Sequence, residues 1–378
     1  MTMWISVGWN RYRGLLLAGL VLSLSGCTEM AYYAQAVSGQ RQLLSLRRPL
    51  DTVLADPATP SPLRLRLETA QALRDFASSE LALPDNRSYR SYADLQRPYV
   101  VWNVFATPEL SLELRQWCFP LVGCVSYRGY FNAAAAQRLA NNLRAQGDDV
   151  YLGGVPAYST LGWFDDPLLN TFVHWPIGRL AELVFHELAH QRLFIPNDTV
   201  FNESFATTVG QLGTRLWLTR HGTPEEQDAY EQYLQHYENF LVLVSTARDE
   251  LARLYASNQP DEVKREAKRH LLTGLQARYQ ALRAQGEGLV EYEHWLAEGL
   301  NNAKLAALNT YTHYVPAFEV LFEQSGRDFA AFYRAVEALG GLAPQVREAR
   351  LQALLTLSEG DDDRHVESLA IRDIVDHE

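Results

Sequence analysis

Cysteine is scarce. Three in 378 residues are too few for a disulfide scaffold, and the odd count asks what the unpaired one does. Positive charge is also short, with 34 Lys and Arg against 45 Asp and Glu and a net charge of −11. A nucleic-acid partner needs a basic surface to displace counterions, so the acidic balance argues against that class. No Gly-rich phosphate loop and no G-x-S-x-G elbow occurs, which leaves phosphate cradling and serine-based hydrolysis unsupported. The N-terminal apolar run Gly14–Leu24 is shorter than the roughly 20 residues of a membrane-spanning helix, and no other stretch is apolar enough to span. What remains is a chain of ordinary globular composition, 47% hydrophobic and 21% charged, long enough to bury a core.

Residues 1–26 contain no acid and two bases, Arg11 and Arg13, followed by that apolar run and Leu24-Ser25-Gly26-Cys27. A basic start, a short apolar stretch and small residues before a cleavage point describe a secretory signal. The Leu-Ser-Gly-Cys ending resembles the bacterial lipobox, in which the cysteine sulfur is lipidated and the chain is cut before it. Cys27 is therefore the expected lipid anchor. Thr28 in place of Asp after it points to the periplasmic face of a Gram-negative outer membrane. Removing residues 1–26 leaves 32 bases against 45 acids, a net −13. The mature chain is expected as a soluble body on a lipid tether, in an oxidising compartment.

The remaining cysteines lie in Trp117-Cys118-Phe119-Pro120-Leu121-Val122-Gly123-Cys124. Pro120 and Gly123 can turn the chain so that the sulfurs meet, and half a zinc site would lack a second Cys pair. A small-loop disulfide between Cys118 and Cys124 is expected. Elsewhere the pattern is helical over 62–81, extended over Tyr99–Phe105 and Val122–Tyr127, and helical over 132–146. A strand over Asp149–Leu152 is expected to stop at Gly153-Gly154, with a further extended segment over Ala157–Phe164. From Ile177 onward the periodicity is almost wholly helical.

The chemistry concentrates in His186-Glu187-Leu188-Ala189-His190. Residues four apart on a helix share a face, so the two imidazoles can bind one Zn²⁺. Glu187 flanks that face and can take a proton from a metal-activated water. Chance would give such a motif in about one or two per hundred chains of this composition. A catalytic zinc needs a third protein ligand. The metzincin extension fails, because Leu193 and Pro196 stand where Gly and His are required. Pro196-Asn197-Asp198 instead breaks the helix, and Asp198 can cap a new one reaching about Arg220. That turn lets the second helix fold back and present Glu203, with Glu182 and His174 as rivals.

His186-Glu187-x-x-His190 followed by Asn202-Glu203-x-x-Ala206 resembles the gluzincin arrangement of thermolysin and aminopeptidase N. More closely, the mature chain resembles a bacterial family of lipoproteins described as predicted aminopeptidases. The resemblance rests on Tyr32–Gln40, Tyr127–Phe131, Gly153–Pro167, the zinc segment and Asn301-Asn302-Ala303. It implies a peptide substrate and release of N-terminal residues.

Zinc peptidases hold substrate by backbone pairing along an edge strand before the zinc helix, which nominates Ala157, Tyr158 and Ser159. Asp165 or Asp166 can hold a substrate's α-amine, or cap a turn before Pro167. Tyr311, His313 and Tyr314 are candidates for stabilising the transition-state oxyanion, Tyr311 first. The expected fold is α+β: a small mixed sheet against the zinc helix, with a helical C-terminal portion closing the cleft. Its expected divisions are signal peptide 1–26, metallopeptidase core 27–220, helical portion 221–360 and acidic tail 361–378. The expected function is a zinc aminopeptidase holding one ion through His186, His190 and Glu203, with Glu187 as base. An endopeptidase or other amide hydrolase of the envelope, and a non-catalytic zinc lipoprotein, are the alternatives.

Overall fold

The computed structural model describes residues 30–119, 123–308 and 313–357. The leader, Cys27, Tyr311 and the acidic tail lie outside the described residues. Helix α1 (30–45) leads into strand β1 (Arg48–Pro49), α2 (Leu50–Ala55) and α3 (Ser61–Ser79). Three short sheets follow. β1 pairs antiparallel with β2 (Ser91–Ala93), which pairs parallel with β8 (Leu168–Leu169), a small mixed sheet. β3 (Val101–Pro108) lies between β6 (Arg128–Tyr130) and β7 (Asp148–Val155), both antiparallel to it. β4 (Trp117–Phe119) and β5 (Gly123–Val125) form a hairpin in which Cys118 and Cys124 face each other and are joined by a disulfide. Helix α4 (Ala133–Ala145), capped by Asn132, covers the β6-β3-β7 sheet through Ala136, Ala140 and Leu143.

From α5 (Ile177–Arg192) the chain is helical: α6 (Thr199–His221), α7 (Pro224–Ala256), α8 (Asp261–Ala284), α9 (Val290–Ala297), α10 (Asn302–Leu308), α11 (Val315–Gln324), α12 (Phe329–Gly340) and α13 (344–357). The fold is α+β with a helical C-terminal portion. None of the described helices is long and apolar enough to cross a membrane. The main core draws side chains from Leu43 to Leu351 and places the mixed sheet, α5 and α6 in one apolar cluster with α11, α12 and α13. A second cluster joins α7, α8, α9 and α10 around Phe240, Leu275 and Tyr279.

Two expectations of extended structure are corrected. β7 does not stop at Gly153-Gly154 but runs to Val155, paired with β3 throughout. The glycines make room for rings, since a Cβ at Gly154 would lie 2.3 Å from Tyr99. Ala157–Phe164 is a loop and not a strand. Its turn uses Leu161 and Gly162 at positive φ, 53° and 80°, which a strand cannot contain.

Candidate metal centre and active site

Pro176 opens α5, as suits a residue without a hydrogen-bonding N–H at a helix start. Leu180, Ala181, Val184, Phe185, Leu188 and Ala189 bury one side of the helix in the main core. That packing fixes the rotation of α5, and with it the face carrying His186 and His190. The helix ends at Arg192. After a short turn Asp198 caps α6, its carboxylate accepting from the Phe201 N–H. Arg347 of α13 holds that carboxylate from outside at 2.7 Å.

Asn202, fully buried, locks the turn with both halves of its amide. Its Oδ1 accepts from Ile195 N at 2.8 Å, and its Nδ2 donates to Ile195 O at 2.7 Å. The next residue, Glu203, is thereby returned to the histidines. α6 can lie this close because it presents small residues. A Cβ added at Gly210 would meet Glu182 O at 2.9 Å and His186 Cβ at 3.4 Å, and one at Gly213 would meet Phe185 at 3.0 Å.

The result is a triangle of donor atoms. His186 Nε2 and His190 Nε2 stand 3.1 Å apart, and Glu203 Oε2 lies 3.3 and 3.5 Å from them. Tetrahedral ligands at about 2.05 Å from an ion sit about 3.3 Å from one another, so the residues fit such an ion. The polar atoms agree: buried Glu203 Oε2 makes no hydrogen bond among the described residues. Two facing imidazole nitrogens and a carboxylate oxygen form one donor set that can hold a metal ion.

Burial would raise the Glu203 carboxyl, but the two imidazoles outweigh it and bring it down to about 2. Burial would likewise lower His186, yet Glu203 and the neighbouring Glu187 and Glu182 raise it. Thr207 Oγ1 stands 3.5 Å from His186 Nδ1 on the side away from the donor set. Glu187, half-buried, follows His186 directly and stays outside the triangle.

The rival ligands are placed elsewhere. Glu182 accepts from the Tyr230 hydroxyl of α7 at 3.1 Å, and His174 is exposed and outside the cluster. Tyr314 donates its N–H to Ser204 Oγ at 3.0 Å and its hydroxyl to Glu348, which makes it a support for the start of α6. His313 packs edge-on against Tyr314.

Asp165 pairs with Arg87 at 3.7 Å, and its carbonyl accepts from Arg47. Asp166 is buried and accepts from Thr160 N and Thr160 Oγ1, both at 2.9 Å, so it caps the 157–166 loop. Burial pushes its carboxyl up to about 6. Ser159 Oγ turns toward Asp166 at 3.5 Å, and Tyr158 packs edge-on against Phe131. Sequence reasoning gave Tyr127 no role. The fold sets it just before β6, against Phe105 and in the electrostatic field of both Glu203 and Glu187. It opens the Tyr127–Phe131 segment on which the family resemblance rests, which assigned it no role.

Neither the curated proteins nor the solved structures contain a match to this chain. A family model described as "Putative aminopeptidase" matches residues 31–351, from the start of α1 into α13 and including every residue of the donor set. With that geometry inside the matched span, the chain belongs to this aminopeptidase family, and peptide hydrolysis is the activity the family suggests.

Proposed function

We infer that the chain is a zinc-dependent aminopeptidase tethered by Cys27 to the periplasmic face of the outer membrane. The observation that carries the zinc centre is the donor triangle of 3.1, 3.3 and 3.5 Å. His186, His190 and Glu203 would hold the ion, leaving a fourth tetrahedral position open, as catalytic zinc sites do. Zinc bound there supplies Lewis acidity and brings the pKa of a water to about 7.

The protein's own part falls to Glu187. It stands three residues before His190 on α5, a spacing that brings its carboxylate toward the donor face, where it takes a proton from the attacking water and delivers it to the leaving amine. Tyr127, whose hydroxyl feels the charges of Glu203 and Glu187, would donate it to the developing oxyanion. The tether rests on the basic, apolar and small-residue order of residues 1–26. The disulfide suits an oxidising compartment.

The test is a mixture of synthetic peptides incubated with the zinc-loaded protein and with Glu187→Gln, read by mass spectrometry. One-residue trimming from N-termini that disappears in the variant supports this reading. Internal cuts replace the aminopeptidase with an endopeptidase. Absence of cleavage by the unaltered protein removes catalysis altogether.

A further inference from the structure

The tip of the 157–166 loop, from Thr160 to Phe164, turns four of its N–H groups inward. Thr160 N donates to Asp166, Leu161 N to Ser159 Oγ, Trp163 N to Thr160 O and Phe164 N to Thr160 Oγ1, at 2.9 to 3.2 Å. These N–H groups hold the loop's own shape and cannot pair with a peptide strand. The shape is pinned to its surroundings. Tyr89 N donates to Asp166 O at 2.6 Å, and Arg47, just after α1, donates to Asp165 O at 2.7 Å. A Cβ at Gly162 would lie 3.6 Å from Gln191, the residue after His190. The loop tip therefore stands beside the end of the helix that carries the donor set.

At this fixed tip two large aromatic side chains face water, Trp163 at 78% exposure and Phe164 at 48%. Phe194, 43% exposed, follows three residues after Gln191. Contiguous exposed aromatics on an ordered loop mark a contact surface, whereas scattered single ones do not. Because the tip lies beside Gln191, the residue after His190, a peptide held at the donor set is the occupant these side chains are placed to meet.

We propose that Trp163 and Phe164 form the specificity rim of the site, selecting peptides with an apolar or aromatic side chain flanking the scissile bond. This rests on the peptidase reading above. At the tip recognition is by side-chain contact, because the N–H groups of Thr160, Leu161, Trp163 and Phe164 are already engaged. Apolar discrimination of this kind is worth about 10-fold to 200-fold in kcat/KM.

The full chain, loaded with zinc, is compared with Trp163→Ala/Phe164→Ala and with Trp163→Phe on matched peptides carrying Phe, Leu or Ala beside the cleaved bond. Zinc content is measured for each protein. The double variant should lose at least about 10-fold in kcat/KM on the Phe and Leu peptides and less than about twofold on Ala, with Trp163→Phe retaining most of the preference. Equal losses on all three peptides, no loss, or no apolar preference in the unaltered protein overturn the proposal.

Should the unaltered protein cleave nothing, the peptidase reading fails and calorimetry with a reduced-amide Phe peptide decides the rim by itself. Binding weakened at least about 10-fold in the double variant sustains it. Equal binding, or none, overturns it.

Discussion

Replacing Gly210 with alanine should separate metal binding from ordinary helix stability. The new Cβ would stand 2.9 Å from Glu182 O, 3.2 Å from Glu182 Cγ and 3.4 Å from His186 Cβ. Comfortable contact begins at about 3.5 Å, so α6 must move from α5 by roughly 0.5 Å. Glu203 lies seven residues earlier on α6, about two turns and on the same face, so the displacement reaches the donor triangle. Zinc ligand distances tolerate about ±0.2 Å. Zinc affinity, read by competition with a chromophoric chelator, should fall about 10-fold to 100-fold.

Stability changes less. Overpacking costs about 1–3 kcal/mol and alanine's helix preference returns about 1, a net loss of about 0–2 kcal/mol in urea unfolding. Gly274, within α8, is the control. Nothing lies within 4 Å of its added Cβ, so Gly274→Ala should gain about 0.5–1 kcal/mol and leave zinc affinity unchanged. A Gly210→Ala protein that binds zinc like the unaltered one would refute the claim that this helix contact sets the site.

Asn202→Ala removes both hydrogen bonds to Ile195 and leaves that buried turn unsatisfied. It should cost about 2–4 kcal/mol in urea unfolding and weaken zinc binding; an unchanged midpoint would contradict the clamp. Glu203→Gln should abolish zinc retention on dialysis while circular dichroism keeps its helical signal, and retained zinc would point to another third ligand. Asp166 has a folded-state pKa of about 6 against an ordinary 3.8, so the folded protein holds its proton more tightly than the unfolded one. Its contribution is fully present below about pH 3.8 and is lost as pH rises through about 6. Relative to Asp166→Asn, the zinc-free protein should lose up to about 3 kcal/mol between pH 4 and pH 7 in urea unfolding. A flat difference would show that Asp166 titrates normally.

Much of the site was legible because it is local. Helical periodicity alone puts His186 and His190 on one face, and Pro196-Asn197-Asp198 announces the break that α6 needs. The disulfide hairpin followed from two cysteines six residues apart around Pro120 and Gly123. Only the tertiary structure decided which carboxylate completes the triangle. Glu182 shares the face of His186 but is taken by Tyr230, 48 residues away, while the Asn202 clamp delivers Glu203. The 157–164 segment misled because its Tyr-Ser-Thr-Leu composition suits a strand, whereas the buried Asp166 carboxylate bends it into a loop. Tyr127 was given no role, since its exposure to the charges of Glu203 and Glu187 follows from the pairing of the next residues, Arg128–Tyr130, with β3. Scarce cysteine and scarce positive charge set expectations only, against a disulfide scaffold and a nucleic-acid partner. Burial and long-range hydrogen bonds, which no local pattern encodes, decided where its reactive groups meet.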